Sequence, residues 1–76
     1  MAGRVGPNAR SAEFGRLLRA NRRALEWRQC DIAQRMTELG FSFHATTVGE
    51  IEKGRRTVTL DEWYALTDLF EYVDAV

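Results

Sequence analysis

The chain has 76 residues, 45% of them hydrophobic, and a formal net charge of zero. This length predicts one small domain with one core, and zero charge argues against a simple polycation that coats nucleic acid. The charges are segregated, however: residues 1–58 hold eleven basic and six acidic side chains, whereas residues 59–76 hold five acidic and no basic ones. One cysteine, no signal-peptide pattern and no long apolar run predict a cytoplasmic protein without disulfides.

The N-terminal part of the chain predicts a flexible arm followed by an amphipathic helix. Residues 1–10 contain Gly, Pro and Asn without an apolar period, so we expect an arm that carries two arginines, Arg4 and Arg10. From residue 11 to residue 25, apolar side chains recur at helical spacing opposite a row of arginines. Asn21 lies within this apolar stripe and needs a hydrogen-bond partner there. The stripe consists of Phe14, Leu17, Leu18 and Leu25.

A second helix is predicted over residues 29–39, followed by a connector with two phenylalanines. Gly40 can adopt the left-handed conformation that ends a helix. Arg28 is a poor N-cap for this helix, because Ser, Thr, Asp or Asn is preferred there. We expect the rings of Phe41 and Phe43 to pack into the core.

The third predicted helix covers about residues 45–53 and stops at Gly54. Val48 and Ile51 should face inward. The outward strip of this helix consists of Thr46, Gly49, Glu50 and Lys53. A basic loop follows directly.

The last predicted helix begins with a capping box, in which Thr59 and Glu62 satisfy each other's backbone amides. Its buried side is predicted to contain Leu60, Trp63, Leu66, Leu69 and Phe70. No segment shows strand alternation or an internal repeat. The sequence therefore predicts an all-α fold of four or five short helices.

Residues 29–56 contain a pattern of two paired helices. It comprises Gln29, Ile32 and Ala33, then Thr47, Val48, Ile51, Glu52, Gly54, Arg55 and Arg56. This pattern resembles the XRE-like helix-turn-helix family of phage repressor and Cro proteins, over about residues 13–73. The resemblance implies a compact lambda-repressor-like domain over residues 11–76, whose second paired helix reads bases in the major groove. The connection over residues 37–44 is longer than in compact members of that family.

The resemblance also implies individual roles on duplex DNA. Base-reading positions are Ala45, Thr46, Gly49 and Glu50. Positions that contact the DNA backbone are Gln29, His44, Thr47, Lys53, Arg55 and Arg56. Arg22 and Glu52 match a structural salt bridge that is buried in relatives. A solvent-exposed polar face explains many of the same residues, and phosphates repel the Glu50 carboxylate unless it accepts a hydrogen bond from cytosine.

The remaining reactive side chains form no recognisable site. His44 is the single histidine, and Cys30 has no CxxC partner, so we expect neither a metal site nor a cofactor. Cys30 is either a plain exposed cysteine or a redox-sensitive thiol at a helix start. No nucleophile and base stand together, and so short a chain leaves little room for a substrate pocket. We therefore expect no catalytic residues, no enzyme activity and no small-molecule substrate.

These observations predict a sequence-specific double-stranded DNA-binding regulator, a repressor or Cro-like protein that occupies an operator in a bacterial cell or a phage-infected host. One alternative is an antitoxin or adaptor that uses the scaffold to bind protein. Another is a recombination factor that bends DNA. A weak homodimer on an inverted repeat is also expected, with the acidic residues 59–76 away from DNA and Tyr64, Phe70 or Tyr72 near its centre.

Overall fold

The computed structural model describes the backbone of residues 9–74 and the side chains of residues 10–70. Within this part the chain forms helices and no strand, which confirms the all-α prediction. The helices are α1 (Ala9–Ala24), α2 (Gln29–Glu38), α3 (Ala45–Glu52) and α4 (Leu60–Asp74). No helix in residues 9–74 is both long enough and apolar enough to cross a membrane.

The boundaries differ from the predicted ones at the N-terminus of α1. Residues 9 and 10 were expected to belong to the arm but are helical. The rest of the predicted arm lies outside the described residues, as does the side chain of Tyr72. Residues 9–74 contain no fifth helix.

Three of the helices end in the same hydrogen-bonded motif. After α2, the Gly40 amide donates to the Thr37 carbonyl and the Phe41 amide donates to the Met36 carbonyl, each at 3.0 Å. This pair of bonds is the Schellman motif, which requires a left-handed residue just beyond the helix. That residue is Gly40 (φ 101°) after α2 and Gly54 (φ 76°) after α3. After α1 it is Glu26, with φ 60° and no glycine to relieve the strain.

We expect Glu26→Gly to stabilise the fold, because a non-glycine residue in the left-handed region costs roughly 1–2 kcal/mol. Part of this gain is offset by the greater freedom of glycine in the unfolded chain, so the net increase in the free energy of unfolding should be about 0.5–1 kcal/mol. Urea denaturation measures it. Ala20→Gly, in the exposed middle of α1, is the control and should lose about 1 kcal/mol. A Glu26→Gly variant that is less stable than the wild type would show that the backbone at Glu26 is not strained.

The core lies where α2, α3 and α4 meet α1. Its largest fully buried side chains are Ile32, Met36, Ile51, Leu66 and Val48. The predicted role of the connector is confirmed, because Phe43 is buried and Phe41 packs against the core. The Thr37 hydroxyl donates to the Phe43 carbonyl at 3.2 Å, which ties the connector to α2. The connector between α2 and α3 is therefore held by core packing and by this hydrogen bond.

The start of α4 matches its prediction, and its buried face does so in part, because Leu66 is buried and Leu69 and Phe70 pack against the core. The Thr59 hydroxyl accepts from the Glu62 amide at 3.1 Å and the Glu62 carboxylate accepts from the Thr59 amide at 3.0 Å. The burial predicted for Leu60 and Trp63 is wrong, since they are 67% and 40% exposed.

The apolar stripe predicted on α1 is also only partly buried. Leu17 is 55% exposed, whereas Leu18 is buried. Asn21 is exposed rather than enclosed, and its amide donates to the Leu17 carbonyl at 2.9 Å. Its hydrogen-bond partner is therefore the preceding turn of α1 itself. An apolar period locates one side of a helix, but it does not supply a neighbour that covers every residue on that side.

α1 approaches the C-terminal end of α3 so closely that only glycine fits at two points. A Cβ at Gly15 would clash with the carbonyl oxygen of Ile51 and lie 2.7 Å from that of Glu52. A Cβ at Gly54 would lie 2.9 Å from Cα of Ala12. Backbone therefore packs against backbone at this crossing, and a side chain there forces the helices apart.

Gly15→Ala should destabilise the fold, although helix propensity alone favours alanine by about 1 kcal/mol. The added methyl group meets backbone atoms that cannot rotate away, so we expect a net loss of about 1–3 kcal/mol in the free energy of unfolding. Chemical denaturation followed by circular dichroism measures the change. A variant more stable than the wild type would show that α1 and α3 do not touch here.

Candidate nucleic-acid interface

A largely buried ion pair joins α1 to α3. Nε of Arg22 lies 2.5 Å from Oε2 of Glu52, and Nη2 lies 3.0 Å from Oε1, so the guanidinium binds the carboxylate through two parallel bonds. The two side chains are 14% and 4% exposed. Nη1 of Arg22 also donates to the Trp27 carbonyl at 3.0 Å. The buried polar atoms of both side chains thus have hydrogen-bond partners. A buried ion pair needs such partners to offset the loss of hydration.

Gln29 extends this network from the first residue of α2. Its amide nitrogen donates to Oε1 of Glu52 at 3.2 Å. The same amide lies over Gly49, where a Cβ would come 3.4 Å from Nε2. Gly49 is buried, so its predicted place on the outward strip is wrong. The Gln29 amide therefore covers Gly49 at a distance that is ordinary van der Waals contact for a Cβ.

Arg22→Ala should cost about 3–5 kcal/mol, because the Glu52 carboxylate is left charged and dry. In a domain of this size such a loss can unfold the protein. Thermal melting measures it, with Arg23→Ala as a matched control, since Arg23 is the exposed neighbour on the same helix. Equal melting temperatures for the two variants would show that the pair contributes no stability.

The exposed side of α3 presents three polar side chains in successive turns: Thr46, Glu50 and Lys53. Glu50 is 44% exposed and lies 3.9 Å from the Arg55 guanidinium, a loose contact that leaves both groups accessible. Ala45, at the first position of α3, is half-buried. This strip offers a hydroxyl, a carboxylate and an ammonium group to whatever approaches α3.

The N-termini of the paired helices are capped by side chains three residues inside each helix. The Thr47 hydroxyl accepts from the His44 amide at 3.1 Å, so Thr47 has a structural role besides its predicted contact. At α2, the Asp31 carboxylate accepts from the Arg28 amide at 2.8 Å. The hydrogen bond from the Arg28 guanidinium lowers the pKa of Asp31. The poor N-cap expected at Arg28 is thus compensated from within the helix.

Arg56 is bound to other parts of the protein, although its side chain is 37% exposed. Its guanidinium binds the Glu62 carboxylate at 3.1 and 3.3 Å and lies 5.3 Å from the centre of the Phe43 ring. It connects the loop after α3 to the cap of α4. Arg55, by contrast, is exposed and has only the loose Glu50 contact. The two arginines of the basic loop therefore differ in role, and the phosphate contact predicted for Arg56 competes with the Glu62 pair.

A polar pocket of about 250 Å³ lies between α1 and the paired helices. Glu52 neutralises Arg22, which leaves Arg19 and Lys53 as cations without an ion pair among the described residues. Lys53 also belongs to the exposed strip of α3. The pocket therefore favours an anion directly beside that strip. Its lining consists of Arg19, Arg22, Gln29, Gly49, Glu52 and Lys53.

Two residues at this interface were not assigned a role from the sequence. Arg19 belongs to the row of arginines opposite the apolar stripe of α1, and the structure places it in the lining of the pocket. The Arg35 guanidinium lies over the Trp27 ring, 4.2 Å from its centroid. The Phe70 ring stacks against Trp27 with the two ring centroids 6.0 Å apart. A tryptophan just after a helix is a usable signal, since such a ring is usually covered by neighbours. The sequence gives no such signal for Arg19, because its position in the helical repeat is like that of the other surface arginines of α1.

Among residues 10–70, no three His, Cys, Asp or Glu side chains come together as a metal site. Comparison with protein-family models, with curated proteins and with solved structures found no match to this chain.

Proposed function

We propose that the chain is a sequence-specific DNA-binding protein of the phage-repressor and Cro type, with a lambda-repressor-like fold, and that it regulates transcription in the cytoplasm by occupying an operator. The observation that carries the proposal is the cationic pocket that opens beside the exposed strip of α3, with Lys53 shared between them. A phosphate group in the pocket would place α3 against the adjacent groove. The protein could then contact base edges and the DNA backbone at the same time.

The roles divide between the strip and its surroundings. Thr46 and Glu50 read base edges, and Ala45 contacts a thymine methyl group. Lys53 and Arg55 contact phosphates, and Arg19 joins them from α1. Gln29, His44 and Thr47 lie at the starts of α2 and α3, and a helix N-terminus favours an anion.

Zero net charge is compatible with this function because the acidic residues are placed elsewhere. Glu52 and Glu62 are bound to arginines inside the fold, and Asp31 is bound to Arg28. Glu50, on α3 itself, lies beside the Arg55 guanidinium. The local field at α3 is therefore set by Arg19 and Lys53 rather than by the average over the chain.

Selection from random duplex DNA, followed by a salt titration on the selected site, tests the proposal. Affinity should fall as salt rises, with a log–log slope of about 0.9 for each phosphate neutralised. Lys53→Ala and Arg19→Ala should each reduce the slope by about that amount and weaken all sequences equally. Thr46→Ala should instead change the selected bases, by about 1–3 kcal/mol at one position.

Arg23→Ala is the matched control, because Arg23 is exposed on α1 and does not line the pocket. It should leave both the slope and the consensus unchanged. An equal slope change in Arg23→Ala and Arg19→Ala would remove the pocket from the interface. If the wild type selects no duplex at all, the scaffold serves protein binding and the proposal is wrong.

A further inference from the structure

Two adjacent arginines, Arg55 and Arg56, follow α3 and differ in how strongly the protein binds them. The Arg55 side chain is 67% exposed, and its guanidinium lies 3.9 Å from the Glu50 carboxylate. The Arg56 side chain is 37% exposed, and its guanidinium binds both carboxylate oxygens of Glu62. Since the two side chains have the same chemistry, the carboxylate of Glu62 decides which of them is available to an anion outside the protein.

Several contacts hold the Arg56 guanidinium. Nη1 lies 3.3 Å from Oε1 of Glu62, and Nη2 lies 3.1 Å from Oε2. Nη1 also donates to the Thr57 carbonyl at 3.4 Å, and the guanidinium lies 5.3 Å from the centre of the Phe43 ring. Two parallel bonds to a carboxylate fix a guanidinium in direction as well as in position. A phosphate that takes Arg56 must therefore replace several contacts rather than one.

The Glu62 carboxylate is held in place independently of Arg56. Its Oε1 accepts from the Thr59 amide at 3.0 Å, and its side chain is 11% exposed. Glu62 also lies in the first turn of α4, where the helix dipole favours a negative charge. Because the capping bond already orders this carboxylate, the pair with Arg56 loses little additional conformational entropy. A carboxylate in the same chain also has a high effective concentration, which a DNA phosphate lacks.

We propose that Glu62 is a positioning residue that withholds Arg56 from DNA phosphates and so limits the number of phosphates that the domain neutralises. This inference rests on the proposed function. Arg55 contacts a phosphate, whereas Arg56 stays on Glu62 when duplex DNA is bound. Each phosphate contact adds affinity for every sequence alike and steepens the dependence of affinity on salt. The Arg56–Glu62 pair therefore lowers the affinity for duplex DNA of any sequence.

Glu62→Gln separates the two roles of Glu62. Glutamine can keep the capping box with Thr59, but it lacks the charge that binds Arg56. Affinity for a duplex of random sequence should rise severalfold at low salt, and the log–log slope with salt should be steeper by about 0.9, which corresponds to one more phosphate. Asp61→Asn is the matched control, because it removes the same charge from the exposed neighbouring residue. It should leave the slope unchanged.

A second substitution shows whether the gain passes through Arg56. Adding Arg56→Ala to Glu62→Gln should return the slope to the wild-type value, a result that a purely structural role of Glu62 does not produce. Circular dichroism checks that each variant is folded. A Glu62→Gln variant with the same slope as Asp61→Asn overturns the proposal, as does a double variant that keeps the steeper slope.

The wild type provides a measurement that needs no substitution. Hydrogen exchange of the arginine guanidinium groups, followed by NMR spectroscopy, should change at Arg55 when duplex DNA is added and stay unchanged at Arg56. An equal change at both arginines would show that DNA displaces Glu62, and the proposal would be wrong.

Elution from immobilised heparin, a sulfated polyanion without bases, distinguishes this inference from the proposed function. Glu62→Gln should elute at a higher salt concentration than Asp61→Asn. If the wild type binds no duplex, the proposed function is wrong, and the heparin comparison still decides whether Glu62 withholds Arg56 from anions. Equal elution of the two variants means that it does not.

Discussion

The close crossing of α1 over the C-terminal end of α3 determines where every other part of the candidate site lies. Gly15 removes the side chain that would collide with the Ile51 carbonyl, and the Arg22–Glu52 pair then joins the two helices through a dry contact. Because Lys53 follows Glu52 directly, its position relative to Arg19 on α1 is set by the same crossing. The pocket between them is thus a consequence of backbone packing, and the charges of Arg19 and Lys53 are brought together by a glycine that carries no charge.

The ends of the helices set the second constraint. α1, α2 and α3 each finish on a left-handed residue, so the chain reverses direction within a few residues and the next helix can pack on the last. Two of these residues are glycines, and Glu26 is not. The connection between α2 and α3 is held in place, because Phe43 is buried and its carbonyl accepts from the Thr37 hydroxyl. Additional residues in a turn are tolerated when one of them supplies core volume.

Helical periodicity, Gly40, Gly54 and the Thr59 capping box were sufficient to predict the four helices to within about two residues, because each signal is local. The side chains that decide the site depend on distant partners. Arg55 and Arg56 are identical in chemistry, and only the position of Glu62 separates them. Gly15 and Gly49 interrupt helices in the same way, yet backbone packs against one and the Gln29 side chain lies over the other. Leu17 and Trp63 fit an apolar stripe, yet they are 55% and 40% exposed.

The division of charge within the chain explains how a protein of zero net charge can have a local cationic surface. Glu52 and Glu62 bind arginines and cancel cations that would otherwise add to the field. Arg19 and Lys53 remain in the lining of the pocket beside α3. The acidic side chains described on α4, which are Asp61, Glu62 and Asp68, do not line that pocket, where phosphates would repel them. The average charge of the chain therefore does not set the field at the pocket, because its acidic residues are paired with arginines or lie outside the lining.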